Sequence, residues 1–457
     1  MKISLVLLCA AVTGPCALGQ SWTLRPYPNA PTPRRAGAMA YDGTRMILHG
    51  GLYASPSQLL DETWSYNGNQ WLLLTPTTTS PGRWGHRLVR DTTRNRLITF
   101  GGRSPTIVGL ARDTYAWSGN GWTAIPTTNF PASRYLYGMC YDQARDRVVL
   151  FGGSTSNASP NDTWEFDGLN WARALPTNSP PSREEMVLEY DAQRGRSVLF
   201  GGRDPVSNQP LGDTWEFDGV DWTAAQPTNS PTARHRCAAG YDATRERLVI
   251  YGGFDGSSLL TETWEYYAGG TWTQVSVGPG TTLSTEMYAA FDTTRNVFVT
   301  FGGVGSSFSN ETWEYAGAPT ARFTTLGQGC PTSVGTPTIE AITLPQLGGN
   351  FEVAFGNLPA STGFLLIAQG FSSTTWNGNP LPYDLATFGI TGCSLEVAAD
   401  TLFGIGAAAG GATLSFAVPN DPSLMSFVYY MQGFAPDSAA GNGFGGMSLG
   451  GRAQLGT

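Results

Sequence analysis

The stretch Tyr141-Asp142, Val148-Val149-Leu150-Phe151-Gly152-Gly153, Asp162-Thr163-Trp164 and Trp171 is one copy of a pattern that occurs six times in this chain of 457 residues. The Gly-Gly pairs begin at positions 50, 101, 152, 201, 252 and 302, so the period is 49 to 51 residues. Each copy holds four strand-like segments separated by turn signals. A period near fifty with four strands per unit predicts a β-propeller in which each copy forms one blade.

Some positions hold the same residue types in almost every copy. An aspartate that ends the first strand and an arginine three residues later occur in all six copies: Asp42/Arg45, Asp91/Arg94, Asp142/Arg145, Asp191/Arg194, Asp242/Arg245 and Asp292/Arg295. A second arginine opens five first strands, and an acid precedes each third-strand Thr: Arg34, Arg83, Arg134, Arg183 and Arg234, with Glu62, Asp113, Asp162, Asp213, Glu262 and Glu311. Because these residues recur, we interpret them as scaffold that forms blade-to-blade ion pairs and caps turns.

The paired glycines, the aromatic residue before them and the spaced tryptophans resemble the kelch repeat, and the resemblance covers about two thirds of the chain. It implies a propeller of four-stranded blades. Galactose oxidase shares this architecture and holds copper with two histidines and two tyrosines. The histidines here, His49, His86 and His235, lie in different blades at different repeat positions, so that site does not carry over. We expect no metal and no cofactor.

The spacing of the tryptophans predicts how the propeller closes. Twelve residues separate a fourth-strand tryptophan from the start of the next first strand, as from Trp71 to Arg83. The sixth copy has no such tryptophan after Trp313, whereas Trp22 precedes Arg34 by the same twelve residues. We therefore predict that an N-terminal strand completes the sixth blade and leaves no open sheet edge.

The termini predict an exported protein of two domains. Lys2, the apolar run from Ile3 to Ala11 and the small residues up to Gly19 have the order of a signal peptide. We assign residues 1–19 to that peptide, 20–322 to the propeller and 323–457 to a β-sandwich, and expect an extracellular, cell-surface or periplasmic location. No later segment is apolar enough for a membrane helix.

The C-terminal part differs in composition from the repeats. From Phe323 onward there are seven acids and one base, with apolar alternation in segments such as Phe351–Phe355. Gly327-Gln328-Gly329-Cys330-Pro331 and Gly392-Cys393 resemble a domain appended to many exported bacterial proteins. We predict a disulfide between Cys330 and Cys393, whereas Cys140 and Cys237 lie in separated blades and are expected to be buried free thiols.

The candidate site is placed where the six copies disagree. The two residues after the recurring arginine should surround the mouth of the channel, on the face that carries the loops after Gly-Gly. They include an acid–base and aromatic set, namely Arg35, Trp84, Tyr135, Glu184, Glu185, His235, Arg236 and Glu286. We expect this monomeric protein to bind an extracellular protein or polysaccharide there. The alternative is a carbohydrate-active lyase or hydrolase that uses the same acids.

Composition excludes several other functions. Lys2 is the only lysine, so the mature chain has no Schiff-base lysine and no phosphate-binding loop that depends on one. The formal net charge of -8 and the lack of a basic run argue against nucleic acid or an anionic membrane as partner.

Overall fold

The computed structural model describes residues 21–53, 58–104, 110–267, 270–277, 285–317, 322–377, 379–388, 390–408, 410–419, 424 and 427–456. The predicted signal peptide, residues 1–19, lies outside the described residues. The chain divides into two compact units, residues 20–316 and 317–457. Nothing in the described part of the chain is a helix long and apolar enough to cross a membrane.

In its described residues, the first unit contains six four-stranded antiparallel sheets, each of which is one blade. A short three-stranded sheet of Arg34–Arg35, Leu52–Tyr53 and Gln58–Leu59 accompanies them. The four strands of blade 1 are Ala38–Tyr41, Met46–His49, Thr63–Tyr66 and Trp71–Leu73, and those of blade 2 are Leu88–Asp91, Arg96–Phe100, Thr114–Trp117 and Trp122–Ile125. Blade 3 consists of Gly138–Asp142, Arg147–Phe151, Thr163–Phe166 and Trp171–Ala174, and blade 4 of Val187–Asp191, Arg196–Arg203, Pro210–Phe217 and Trp222–Ala225. Blade 5 consists of Ala238–Asp242, Arg247–Tyr251, Glu262–Tyr267 and Thr271–Val277, and blade 6 of Tyr288–Asp292, Val297–Phe301, Thr312–Ala316 and Ser21–Arg25. Each first strand lies beside the first strands of two neighbouring blades. The six first strands therefore surround a central channel, as the kelch resemblance implies.

The N-terminal strand completes blade 6, in agreement with the spacing of the tryptophans. Ser21–Arg25 pairs with Thr312–Ala316, and Trp22 lies opposite Tyr315. The outer edge of the third strand is thereby covered.

A hydrogen bond between side chains recurs between each blade and the blade before it. The indole N–H of every fourth-strand tryptophan donates to the threonine hydroxyl in the third strand of the preceding blade. The pairs are Trp22–Thr263 at 2.9 Å, Trp71–Thr312 at 2.8 Å, Trp122–Thr63 at 2.8 Å, Trp171–Thr114 at 2.9 Å, Trp222–Thr163 at 2.9 Å and Trp272–Thr214 at 3.0 Å. The recurring threonine is therefore the partner of the recurring tryptophan, and Trp22 behaves as the sixth copy.

Substituting Thr163→Val is expected to lower the free energy of unfolding by about 1–3 kcal/mol, because it leaves the buried indole N–H of Trp222 without an acceptor. Chemical denaturation measures the change. The matched control is Thr223→Val, which makes the same substitution at an exposed position beside Trp222. Equal effects of the two substitutions would contradict the role given to the hydrogen bond.

The arginines that open the first strands form ion pairs within their own blades, not between blades. The pairs are Arg34–Glu62 at 2.6 Å, Arg83–Asp113 at 2.8 Å, Arg134–Asp162 at 2.6 Å, Arg183–Asp213 at 2.6 Å and Arg234–Glu262 at 2.9 Å. The blade-to-blade pairing expected at this position is wrong, because the arginine backbone makes the connection instead. The carbonyl of Arg83, for example, accepts the N–H of Gly51 in blade 1 at 2.9 Å.

This connection explains why the glycine pair recurs. Gly50 has a φ of 69°. A Cβ atom added to it would lie 2.4 Å from the carbonyl oxygen of Arg83. Only glycine combines this left-handed conformation with so close an approach of the next blade.

The second unit is a β-sandwich. One sheet has the strand order Arg322–Leu326, Gly450–Gln454, Val428–Pro436, Phe364–Gly370 and Thr401–Gly406. In this sheet, Gly445–Met447 also pairs with Val428–Pro436. The other sheet has the order Thr338–Ala341, Asn350–Gly356 and Ala412–Ala417. Two short hairpins, Thr375–Trp376 with Asn379–Pro380 and Tyr383–Asp384 with Ser394–Leu395, and a 3-10 helix at Leu385–Phe388 accompany them. Phe351 and Val353 of the second sheet share one core with Leu365, Ile367 and Met431 of the first.

The predicted disulfide is present, and one of the two free thiols is less buried than predicted. Cys330 and Cys393 form a disulfide with a Cα–Cα distance of 5.1 Å, and both residues are buried. Cys140 is a buried free thiol and Cys237 a partly buried one. In the described residues, the propeller is therefore held together without a disulfide.

Candidate functional site

The eight predicted site residues all lie at one end of the channel, which we call the mouth. Two residues follow the recurring arginine in each blade, and we call them the divergent residues because they differ between blades. In every blade, the first of them pairs in antiparallel fashion with the residue that follows Gly-Gly. The pairs are Arg35–Leu52, Trp84–Arg103, Tyr135–Ser154, Glu184–Arg203, His235–Phe254 and Thr285–Val304. The first two strands are thus extended beyond the glycines, and this extension positions the divergent side chains.

The second divergent residue has a left-handed backbone in all six blades. The φ angles are 58° at Ala36, 69° at Gly85, 57° at Leu136, 61° at Glu185, 60° at Arg236 and 55° at Glu286. Five of these residues are not glycine, so the conformation is unfavourable for them. Such strain persists only where the surrounding structure enforces it, and it is concentrated at functional sites.

A ring of hydrogen bonds enforces this conformation. Five backbone N–H groups donate to the carbonyl of the equivalent residue in the preceding blade: Ala36 to Glu286 at 2.9 Å, Gly85 to Ala36 at 2.7 Å, Leu136 to Gly85 at 2.7 Å, Glu185 to Leu136 at 2.8 Å and Arg236 to Glu185 at 3.0 Å. Between blades 5 and 6, the hydroxyl of Thr285 donates to the carbonyl of Arg236 at 3.1 Å. We call the six residues with the left-handed backbone the mouth ring: Ala36, Gly85, Leu136, Glu185, Arg236 and Glu286.

Charged side chains form a continuous network on one side of the mouth ring, across blades 1, 6, 5 and 4. Glu286 binds Arg35 at 2.6 Å and Arg236 at 3.0 Å. Arg236 also binds Glu185 at 2.8 Å, and Glu185 lies 2.6 Å from His235 Nδ1. Arg203, which the sequence reasoning did not select, pairs with Glu184 and lies 3.8 Å from Glu185.

Glu185 is the centre of this network. Its side chain is only 4% exposed, and burial by itself would raise its pKa. The hydrogen bond to His235 and the charges of Arg236, His235 and Arg203 outweigh burial, so the pKa of Glu185 lies below its usual value. Glu185 is therefore an ionised carboxylate and not a proton donor near neutral pH.

Aromatic residues occupy the other side of the mouth, in blades 2 and 3. The rings of Trp84 and Tyr135 meet edge to face with centroids 5.2 Å apart. The guanidinium of Arg103 lies 5.9 Å from the Trp84 ring centroid and is exposed. All three residues reach solvent, so this side offers aromatic surface and one cation to a partner.

The central channel holds two residues of opposite charge that the sequence reasoning missed, Arg87 and Glu189, and Arg90 lines it as well. A cavity of about 310 Å³ runs along the first strands of all six blades, and both Arg87 and Glu189 line it. None of the eight predicted residues is among the described residues that line the cavity. A comparison of all positions in the six first strands would have found the two charges, because the equivalent residues in other blades are uncharged.

Comparison with known proteins supports the assignment of the repeat. Residues 85–303 match the kelch-repeats domain model described for KLHDC2, KLHL20 and DRC7. The predicted resemblance to kelch repeats is thereby confirmed, and a kelch-repeat propeller suggests a scaffold for protein interactions.

Other comparisons add little. No curated protein matches the sequence. Among solved structures, the chain is similar to the subtype N11 neuraminidase-like protein of A/flat-faced bat/Peru/033/2010 (H18N11), with 11% identity and a TM-score of 0.38 over 67% of this chain and 97% of that one. At such a TM-score we draw no conclusion from this similarity.

Proposed function

We propose that this chain is an exported binding protein whose mouth docks an extracellular protein. The observation that carries the proposal is the division of the mouth into an internally paired charge network and a solvent-accessible aromatic surface. Trp84, Tyr135 and Arg103 are of the types that dominate the energy of protein interfaces. They stand where the blades differ, at positions that the scaffold does not require.

The state of the carboxylates supports binding over hydrolysis. An acid–base glycoside hydrolase needs one carboxylic acid that stays protonated to donate to the leaving group. Glu184, Glu185 and Glu286 are each paired with at least one arginine, and the pKa of Glu185 is lowered, not raised. These acids serve the network, which leaves the aromatic side for recognition.

A polysaccharide is the second candidate ligand, because sugars also stack on exposed aromatic rings and Trp84 presents one. The predicted signal peptide and the disulfide of the second unit motivate an extracellular ligand of either class.

The double variant Trp84→Ala/Arg103→Ala is expected to reduce partner binding at least about tenfold, because it removes two residues of the type that dominates interfaces. Pull-downs from culture medium and cell-envelope fractions, followed by affinity measurement with the captured protein, test this. The matched control is Val220→Ala, which removes an exposed apolar side chain from a turn between third and fourth strands, at the other face.

A polysaccharide panel run in parallel separates the alternatives. Retention on a glycan without new reducing ends or unsaturated products would assign the mouth to carbohydrate binding. New chain ends would support the enzyme. Binding that is equal in the wild type and the double variant would overturn the assignment of the mouth as the docking surface.

A further inference from the structure

Three charged residues line the central channel. Arg90 packs its guanidinium against Gly43 of blade 1, whereas the other two have opposite charges and no role in the propeller scaffold. Arg87 projects from blade 2 and Glu189 from blade 4, and both line the cavity of about 310 Å³. Among the described residues, neither side chain forms a hydrogen bond, and the two interact only by attraction through space. Both are partly accessible and otherwise surrounded by protein.

The internal repeat shows that neither charge belongs to the blade. The residues equivalent to Arg87 are Ala38, Gly138, Val187, Ala238 and Tyr288, and those equivalent to Glu189 are Ala40, Val89, Cys140, Gly240 and Ala290. Four blades thus form the same strand without a charge at either position. Residues that a scaffold does not need, in a cavity, are candidates for ligand binding.

The surroundings disfavour both charges when the channel holds no ligand. Burial raises the pKa of Glu189 to about 7, and Arg87 offsets only part of this effect. Burial also lowers the pKa of Arg87. An unpaired charge inside a protein costs free energy that a ligand of opposite charge would recover.

We infer that the channel binds a small zwitterion, an amino acid with an apolar side chain, whose carboxylate is held by Arg87 and whose ammonium group is held by Glu189. A guanidinium binds a carboxylate through two parallel hydrogen bonds, and a carboxylate is the matching partner for an ammonium group. The wall also includes partly exposed apolar residues, among them Val89, Ala290 and Met287. Methionine side chains adapt to ligands of different shape.

The size and the entrance of the cavity fit this ligand class. Its volume is at the lower end of the range of about 300–1,000 Å³ for small-molecule pockets. The lining reaches Thr92, Gln143, Ala192, Ala243 and Thr293, which lie in the turns between first and second strands. The cavity thus reaches the end opposite the mouth, where a ligand can enter, and this inference does not depend on the function proposed for the mouth.

Isothermal titration calorimetry on the full chain tests the inference, with leucine, methionine and phenylalanine as probes. Each amino acid is compared with its N-acetyl form, which lacks the ammonium charge, and its methyl ester, which lacks the carboxylate. We expect the free amino acid to bind and each derivative to bind at least about tenfold more weakly, because each lacks one charge-assisted contact.

The variants Arg87→Met and Glu189→Gln should each weaken binding of the free amino acid by at least about tenfold. Arg173→Gln, which removes an exposed arginine from the outer strand of blade 3, is the matched control and should bind like the wild type. Absence of binding at millimolar concentrations, or equal binding of the amino acid and its two derivatives, would overturn the inference. The comparison of derivatives needs only the wild type, so it remains decisive if a variant does not fold.

Discussion

Deleting residues 20–30 is expected to lower the melting temperature of the propeller by more than about 10 °C, because it removes the fourth strand of blade 6. Trp22 would be lost from contacts with Tyr251 and Tyr315, at centroid distances of 4.5 and 5.3 Å. The 2.8 Å ion pair from Arg25 to Glu314 would be lost as well. Differential scanning calorimetry, which separates the transitions of the two units, measures the effect.

The segment also connects blade 6 to its neighbours, so the deletion should act on more than one blade. Trp22 donates to Thr263 of blade 5, and the Tyr27 hydroxyl donates to the Gly68 carbonyl of blade 1 at 2.8 Å. Thr23→Ala, an exposed position in the same strand, is the control and should leave the melting temperature nearly unchanged. A deletion variant that melts like the wild type would refute closure by the N-terminal strand.

Substituting Glu185→Gln is expected to lower the free energy of unfolding by about 3–5 kcal/mol, because it removes the carboxylate shared by His235, Arg236 and Arg203. Glutamine keeps the shape of the side chain, so the loss of stability can be attributed to the loss of the negative charge. Glu246→Gln, the same change at an exposed position, should cost less than about 0.5 kcal/mol. Urea denaturation at neutral pH compares the two variants.

The same residue predicts how stability depends on pH. The pKa of Glu185 is lowered in the folded state, so the folded protein binds fewer protons than the unfolded chain near the usual pKa of about 4.3. Its contribution is present above that pH and is lost as the pH falls through the folded pKa. The wild type should therefore lose more stability on acidification than Glu185→Gln does, and parallel pH profiles of the two proteins would contradict this account.

The architecture of the propeller could be predicted from the sequence because the same pattern of strands and turns occurs six times. The period predicts the blades, and the spacing from Trp22 to Arg34 predicts which strand closes them. The recurrence of a residue does not say which copy its partner comes from. For this reason the ion pairs of Arg34 and its equivalents were predicted between blades, whereas they lie within one blade. For the same reason the hydrogen bond from each tryptophan to a threonine of the preceding blade was not predicted.

The position of the eight candidate residues at the mouth could be predicted from the sequence, whereas their contacts could not. Divergence between copies selects the residues that surround the mouth, and all eight lie there. The left-handed backbone of Glu185 and its equivalents has no signal in the sequence, because five of the six residues are not glycine. The ion-pair network also depends on Arg203, which follows a glycine pair and comes near the mouth only through the antiparallel pairing with Glu184.

Closure by the N-terminal strand has a consequence for biosynthesis. Arg25 and its partner Glu314 are 289 residues apart in the chain. The strand Ser21–Arg25, which precedes the rest of the propeller in the chain, therefore has no partner until almost the whole propeller has been made. At about 5–20 residues per second, this interval lasts roughly 15–60 s. The strand of the propeller that is translated first is thus the last to find its place, and until then the nascent chain carries an unpaired strand that a chaperone or a second nascent chain can bind.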